Sequence, residues 1–379
     1  MAGVYIHIPF CKQACTYCNF HFTTSLRRKN ELVAALLSEM ELRRDYLDNE
    51  SIETIYFGGG TPSLLNIQEV ELLLRKVLST FNMAPTVEIT IETNPDDVTE
   101  AKLKEWKAAG VNRLSIGVQS FFEEDLRWMN RAHSADEALE SLEVAINYFD
   151  NITIDLIYGM PSLSNEKWQR NLERSIALGI PHLSCYALTV EPKTPLDKMI
   201  RTHTAPDINP DKQSEQFVLL MQWVNEAGYE HYEISNFAKP GFRSKHNSSY
   251  WQGKKYIGVG PSAHSFDNIS RQWNVSNNHT YIESIKKQII PCEKEILTPV
   301  QKLNEYIMTS LRTIEGLDLT RIPEAPQIDK LKAASRKFIE RGLIVEEAKQ
   351  LRLTRKGKLV ADGIAAELFF DKEIPQIVD

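Results

Sequence analysis

The chain has 379 residues, 42% of them hydrophobic, enough to bury a sizeable core in one large barrel with an appendage or in two or three domains. Its formal net charge of −7 speaks against broad nucleic-acid binding, which draws on a basic surface to displace counterions from phosphates, and points instead to a small or apolar ligand. No window approaches the roughly twenty apolar residues of a membrane span and no basic segment leads into one at the N-terminus, so a cytoplasmic protein with reduced thiols is expected.

Residues 4–8 are apolar and partly β-branched, which predicts a buried strand that Pro9 ends. Cys11, Cys15 and Cys18 follow as C-x3-C-x2-C, three of the five cysteines in eight residues. Thiolates at this spacing can converge on one soft-metal centre while the loop backbone wraps it. Three ligands are one too few for closed zinc, and an iron–sulfur cube held by three cysteines leaves one iron open to chemistry. Spacing alone keeps zinc completed by His7 or His21 as an alternative. A disulfide framework fits poorly, because three cysteines cannot pair evenly.

Strand and helix then alternate about every 35 residues. Helices are predicted over residues 29–48, 67–79, 99–109, 135–149 and 165–178, and strands over 51–57, 87–92, 112–118, 152–157 and 182–188. Such alternation builds right-handed βαβ units around a parallel sheet, here an α/β partial (β/α)6 barrel resembling a TIM barrel. A doubly wound open sheet is the alternative. Unusual polar or small residues fall at the strands' C-terminal ends: the cysteines, Gly58-Gly59-Gly60-Thr61-Pro62, Glu92, Gln119, Asp155 and Tyr186-Ala187. That rim carries the active site of β/α barrels, which favours the barrel.

After Leu188 a proline-punctuated stretch reads as a lid, followed by a helix over 210–227 and a strand over 229–234. Residues 235–251 are expected to cross the barrel mouth as irregular, aromatic loop, and 256–265, with Gly260 and His264, as a tight turn region. From about Thr298 two helices (300–312, 328–341), a hairpin (342–346, 350–354) and a last helix (356–369) resemble a winged-helix module that covers the barrel's open side. The expected segments are thus a barrel over 1–235, an irregular accessory segment over 236–297 and the C-terminal unit over 298–379. Cys185 and Cys292 read as ordinary thiols.

The cysteine loop together with Gly58-Gly59-Gly60-Thr61-Pro62 resembles the radical S-adenosylmethionine superfamily, and Tyr5-x-His7-x-Pro9-Phe10-Cys11 resembles its oxygen-independent coproporphyrinogen oxidase branch. The resemblance implies a [4Fe-4S] cluster on Cys11, Cys15 and Cys18 whose fourth iron is chelated by S-adenosylmethionine, so that an injected electron can cleave the sulfonium to a 5′-deoxyadenosyl radical. It further implies that Tyr5, Gly59, Gly60, Thr61, Glu92, Gln119, Arg131, Asp155 and Ala187 contact S-adenosylmethionine, with Tyr17 shielding the adenine or the cluster. The residue chemistry agrees: a glycine backbone suits the methionyl ammonium, a guanidinium its carboxylate, and Gln119 and Asp155 the ribose hydroxyls.

The oxidase proper carries an N-terminal extension and a fourth cysteine two positions after the third. Here the first strand starts at residue 3 or 4 and the corresponding position is Phe20, a pattern that resembles the family's haem chaperone branch. His246-Asn247-Ser248-Ser249-Tyr250-Trp251 resembles that branch's H-N-x-x-Y-W segment. Bottom-up, a neutral imidazole is a good axial ligand for haem iron, and Tyr250 and Trp251 offer flat faces that suit a porphyrin. The resemblance implies a carrier of haem, with haem, apo-haemoproteins such as respiratory cytochromes and an electron donor as partners. Nucleic acid is not expected, no catalytic residue is assigned, and peripheral membrane contact and a homodimer stay open. The alternative function is the radical oxidative decarboxylation of porphyrinogen propionates.

Overall fold

A computed structural model describes residues 1–371, so the last eight positions of the expected C-terminal unit, 372–379, lie outside the described residues. Six strands alternate with helices: β1 (Ala2–Ile8), α1 (Lys29–Leu42), β2 (Ile52–Gly59), α2 (Ile67–Thr80), β3 (Met83–Thr93), α3 (Glu100–Ala108), β4 (Arg113–Gln119), α4 (Glu123–Trp128), α5 (Ala135–Ala145), β5 (Ile152–Tyr158), α6 (Asn165–Ala177) and β6 (His182–Ala187). Neighbouring strands from β1 to β6 pair in parallel and in chain order, as right-handed βαβ units require. In β4 the period-two pattern is plain: Leu114, Ile116 and Val118 are fully buried on one face, while Arg113, Ser115, Gly117 and Gln119 share the other and line a cavity. Helix starts are set locally, as in the capping boxes of Asn66 with Glu69 and Ser134 with Glu137.

The chain continues through α7 (Pro195–Arg201), α8 (Pro210–Glu226), β7 (Glu230–Glu233), β8 (Asn236–Ala238), α9 (Lys245–Trp251), β9 (Lys255–Val259), β10 (His264–Phe266), β11 (Ser270–Asn274), α10 (Asn278–Lys286) and β12 (Cys292–Ile296). The sheet has twelve strands in the order β12-β11-β10-β9-β1-β2-β3-β4-β5-β6-β8-β7, so it curls as an open, partial barrel. The expectation of irregular structure after residue 235 is therefore corrected. That segment extends the sheet at both ends, β9 parallel to β1 and β8 antiparallel to β6, and 245–251 is a helix. Strands of three to five residues broken by Gly258, Gly260 and Pro261 read as turns until a distant partner pairs with them. The tight turn is structural: Gly260 N–H donates to Glu39, and His264 is exposed and stacks on Trp273.

A second core, including Leu303, Ile307, Leu331, Phe338 and Ile364, belongs to α11 (Pro299–Leu311), β13 (Leu317–Asp318), α12 (Ala325–Glu340), β14 (Ile344–Glu347), β15 (Gln350–Leu353), α13 (Arg355–Lys358) and α14 (Ala361–Glu367). This is the winged-helix-like order of helices and hairpin, with the last helix divided at Leu359-Val360. The unit docks on the barrel through Ile314 N–H to the Tyr232 carbonyl (2.9 Å), Arg243 to Glu315 (2.7 Å) and Arg312 over the Trp251 ring (5.3 Å).

The β9–β11 extension is fastened to α1 by one fully buried carboxylate. Glu39 accepts from Arg43 (3.1 Å), Gly260 N–H (2.8 Å), Asn274 (2.7 Å) and Tyr281, and Arg43 goes on to the Gly258 carbonyl, Ser265 and Gln272. Removing it leaves a buried guanidinium without its counterion, so Glu39→Ala is expected to cost about 3–5 kcal/mol in denaturant unfolding. A loss under about 1 kcal/mol would show that the network is dispensable.

Candidate functional site

The cysteine loop is closed at its neck, where Thr23 N–H donates to the Pro9 carbonyl (2.8 Å) and Cys11 N–H to the Thr23 carbonyl (3.0 Å). Residues just after α4 clamp it from the side: Thr16 N–H donates to the Met129 carbonyl, Asn130 Nδ2 to the Ala14 carbonyl (2.7 Å), and Arg131 Nη1 lies 3.3 Å from Cys15 Sγ. All three thiols are partly exposed and face the cavity. Burial pushes the Cys11 thiol up to about 11 and Cys18 upward as well, so both are protonated at neutral pH, and metal binding there releases protons. No three His, Cys, Asp or Glu side chains among the described residues close on one point as they would around a single ion.

Below the thiols a cavity of about 430 Å³ runs down the inner face of the strands. Gly59 sits at φ +110°, and a Cβ there would lie 2.5 Å from the His7 ring; at Gly60 it would lie 2.6 Å from the Phe10 carbonyl oxygen. The protein itself fills both Cβ positions, which fixes glycine there, and the backbone of the strip lines the cavity. Gly59 N–H donates to Glu92 Oε2 (3.1 Å) and the Tyr56 hydroxyl to Glu92 Oε1 (2.8 Å). Gln119 adopts φ +66°, a left-handed conformation rare outside glycine, at the cavity end of β4. Arg131 holds Asn94 Oδ1 (2.7 Å) and the Gly117 carbonyl (2.8 Å), while its buried Nε has no partner.

Tyr17, Gly59, Gly60, Thr61, Glu92, Gln119, Arg131, Asp155 and Ala187 thus share one cavity with the three cysteines. Tyr5 is not part of its lining. Its hydroxyl meets His7 Nδ1 (3.0 Å) and its ring stacks on Tyr56. The cavity also takes in Arg113, Ser115, Thr153 and Ser184, which sequence reasoning missed. The signal was available as R-x-S-x-G-x-Q, polar or small at every second position of β4.

The expected haem residues lie elsewhere than the mouth. Ser244 caps α9 through Asn247 N–H (3.2 Å), and the i, i+4 spacing puts His246 and Tyr250 on one helix face, turned into the closed end of the barrel. His246 Nδ1 meets Thr54 Oγ1 (2.7 Å), its Nε2 meets the Tyr250 hydroxyl (2.8 Å), and its ring stacks on Tyr56 (4.8 Å). Both nitrogens are engaged, and burial lowers the imidazole to about 3, so it is neutral. Glu88 accepts from the N–H groups of Lys245 and His246, and Trp251 points to the C-terminal unit. The expectation of a free axial nitrogen at the mouth is corrected accordingly; from this segment only Asn247 lines the cavity.

The sequence matches the radical SAM superfamily over residues 5–175 and the HemN C-terminal domain over 297–360. The solved coproporphyrinogen III oxidase (HemN) of Escherichia coli, a radical SAM enzyme, has a TM-score of 0.84 at 24% identity, covering 97% of this chain and 90% of that one. Fold and site therefore define a radical SAM protein. Heme chaperone HemW of Mycobacterium tuberculosis is 33% identical over 372 residues, covering 97% of this chain and 94% of that protein. HemW of Bacillus subtilis is 32% identical over 374 residues (96% and 98%). This chain belongs to the HemW family. The superfamily implies a [4Fe-4S] cluster and S-adenosylmethionine, and the donor set fits them: three thiols and the glycine strip line one cavity, and the buried Arg131 Nε beside it is orphaned.

Burial lifts the Glu92 carboxyl to about 7 and Asp155 to about 6. A folded pKa above the unfolded one gives stability that is fully present below about pH 4.3 and lost as pH rises through the folded value. In the absence of ligand, Glu92→Gln is expected to match the parent near pH 4 and exceed it by roughly 3–4 kcal/mol at pH 8. Denaturant midpoints whose difference does not change with pH would contradict this.

Proposed function

We propose that this protein binds haem and hands it to apo-haemoproteins in the cytoplasm, keeping a [4Fe-4S] cluster and S-adenosylmethionine in the barrel. What carries the reading is the likeness, over 97% of the chain, to proteins named heme chaperones. The cavity rim supports it. Phe20, where the oxidase has a further cysteine, is largely exposed beside Cys18, and with Phe22 and Tyr186 it offers flat apolar surface to a porphyrin. No helix among the described residues is long and apolar enough to cross a membrane, so recipients in membranes would be met from outside the bilayer.

In this reading Cys11, Cys15 and Cys18 hold the cluster, the backbone of Gly59 to Thr61 takes the methionyl ammonium, Arg131 the carboxylate, and Gln119 and Asp155 the ribose, with Glu92 and Ala187 beside them and Tyr17 over the adenine. Tyr5 acts from beneath, through Tyr56. When bound, the cluster supplies one electron to the sulfonium. For His246 to ligate haem iron, its bonds to Thr54 and Tyr250 would have to open, so we place haem ligation by His246, with Tyr250 and Trp251 against the porphyrin face, in a state with α9 withdrawn.

Anaerobic incubation of reconstituted protein with S-adenosylmethionine, a reductant and coproporphyrinogen III is expected to give no protoporphyrinogen, while the same sample transfers haem to an apo-cytochrome. Turnover at enzyme-like rates without transfer would establish the oxidase instead. Replacing Cys11, Cys15 and Cys18 by serine should abolish bound iron and sulfide. His246→Ala is expected to change the visible spectrum of bound haem; an unchanged spectrum would remove His246 as a ligand.

A further inference from the structure

Arg113 opens β4 on the inner face of the barrel and is 1% exposed. Among the described residues its guanidinium hydrogen-bonds only Thr153 Oγ1, its Nε has no partner, and no carboxylate lies within ion-pairing distance of 4.0 Å. A guanidinium presents five donors, and a buried cation so poorly matched is costly unless an anion completes it. Among the nearby acids Asp155 lines the same cavity and acts on Arg113 only from beyond 4.0 Å, and the others are committed elsewhere. Glu88 holds the first N–H groups of α9, and Glu92 holds Tyr56 and Gly59. His182 is held neutral by burial. A counterion can reach it through the cavity that opens beside the cysteine loop, which Arg113 lines.

We infer that the deep end of this cavity is a carboxylate subsite, in which Arg113 receives a carboxylate arm of the ligand with the hydroxyls of Ser115 and Thr153 around it. A planar carboxylate matches the guanidinium fork. A dianionic phosphate would be repelled more strongly by Glu92 and Asp155, which line the same cavity. This subsite is separate from Arg131, which sits at the cysteine end and is the partner proposed for the S-adenosylmethionine carboxylate. The identity of the arm rests on the haem reading: for a porphyrin it is a propionate. A short free carboxylate has the same chemistry.

The test compares iron-protoporphyrin IX with its dimethyl ester, by equilibrium titration of the reconstituted full chain, in the parent, Arg113→Gln and Arg113→Lys. The parent is expected to bind the diacid about tenfold or more tightly than the ester. Arg113→Gln should erase that preference and Arg113→Lys restore part of it. Equal affinity of the parent for diacid and ester overturns the subsite while leaving haem carriage standing. Should the parent bind neither porphyrin, the haem reading fails, and sodium propionate against sodium chloride at equal ionic strength decides the subsite. A rise in melting temperature with propionate in the parent and in Arg113→Lys, absent from Arg113→Gln, upholds it, and an equal response in Arg113→Gln overturns it. Should Arg113→Gln not fold, the diacid-to-ester and propionate-to-chloride comparisons on the parent decide alone.

Discussion

A sheet face that is polar at every second residue must be either plugged or occupied, and most of this molecule follows from how the inner face of the six parallel strands meets that demand. The outer face is ordinary, with Leu114, Ile116, Val118 and their counterparts packed under helices. The inner face carries Tyr56, Glu92, Arg113, Ser115, Gln119, Thr153, Asp155 and Ser184, none of which a hydrophobic core would accept unpaired. One end is plugged by α9, whose N–H groups satisfy Glu88 and whose His246 satisfies Thr54. The other end is left open beneath the cysteine loop.

Departures from ideal chemistry gather along the cavity, from the unpartnered Nε of Arg113 at its deep end to the residues beneath the cysteine loop. Gln119 is in a left-handed conformation, Arg131 has an orphaned nitrogen, and two carboxyls titrate near neutrality. Such features persist where surrounding structure enforces them, and they are commonest where a ligand completes the set. The closed end shows the reverse: both nitrogens of His246 are paired and Tyr5 is bonded to His7.

The parallel strands and their helices were legible because both signals are local: a run of β-branched residues ended by glycine or proline, then apolar residues at helical spacing. The cysteine loop and glycine strip were legible because their chemistry depends on spacing within a few residues. Strand β9 was not, since its partner β1 lies some 250 positions earlier and nothing within Lys255–Val259 announces that pairing. Reading the segment from His246 to Trp251 as open loop gave too little weight to Ser244 as a cap and to the i, i+4 spacing that turns a histidine and a tyrosine inward together. Arg113 escaped notice because an arginine at the start of a strand usually points to solvent, although the alternation of β4 puts it on the same face as Gln119.

Trp251 gives the C-terminal unit a role beyond covering an opening. The helix that seals the barrel ends in this tryptophan, and its ring is roofed by Arg312 at the end of α11, while the neighbouring Ile314 is stitched to the backbone of β7. The seal is therefore buttressed from outside the barrel. The paired nitrogens of His246 thus depend on contacts made two elements away, so the packing of the C-terminal unit and the closure of the barrel floor form one continuous structure.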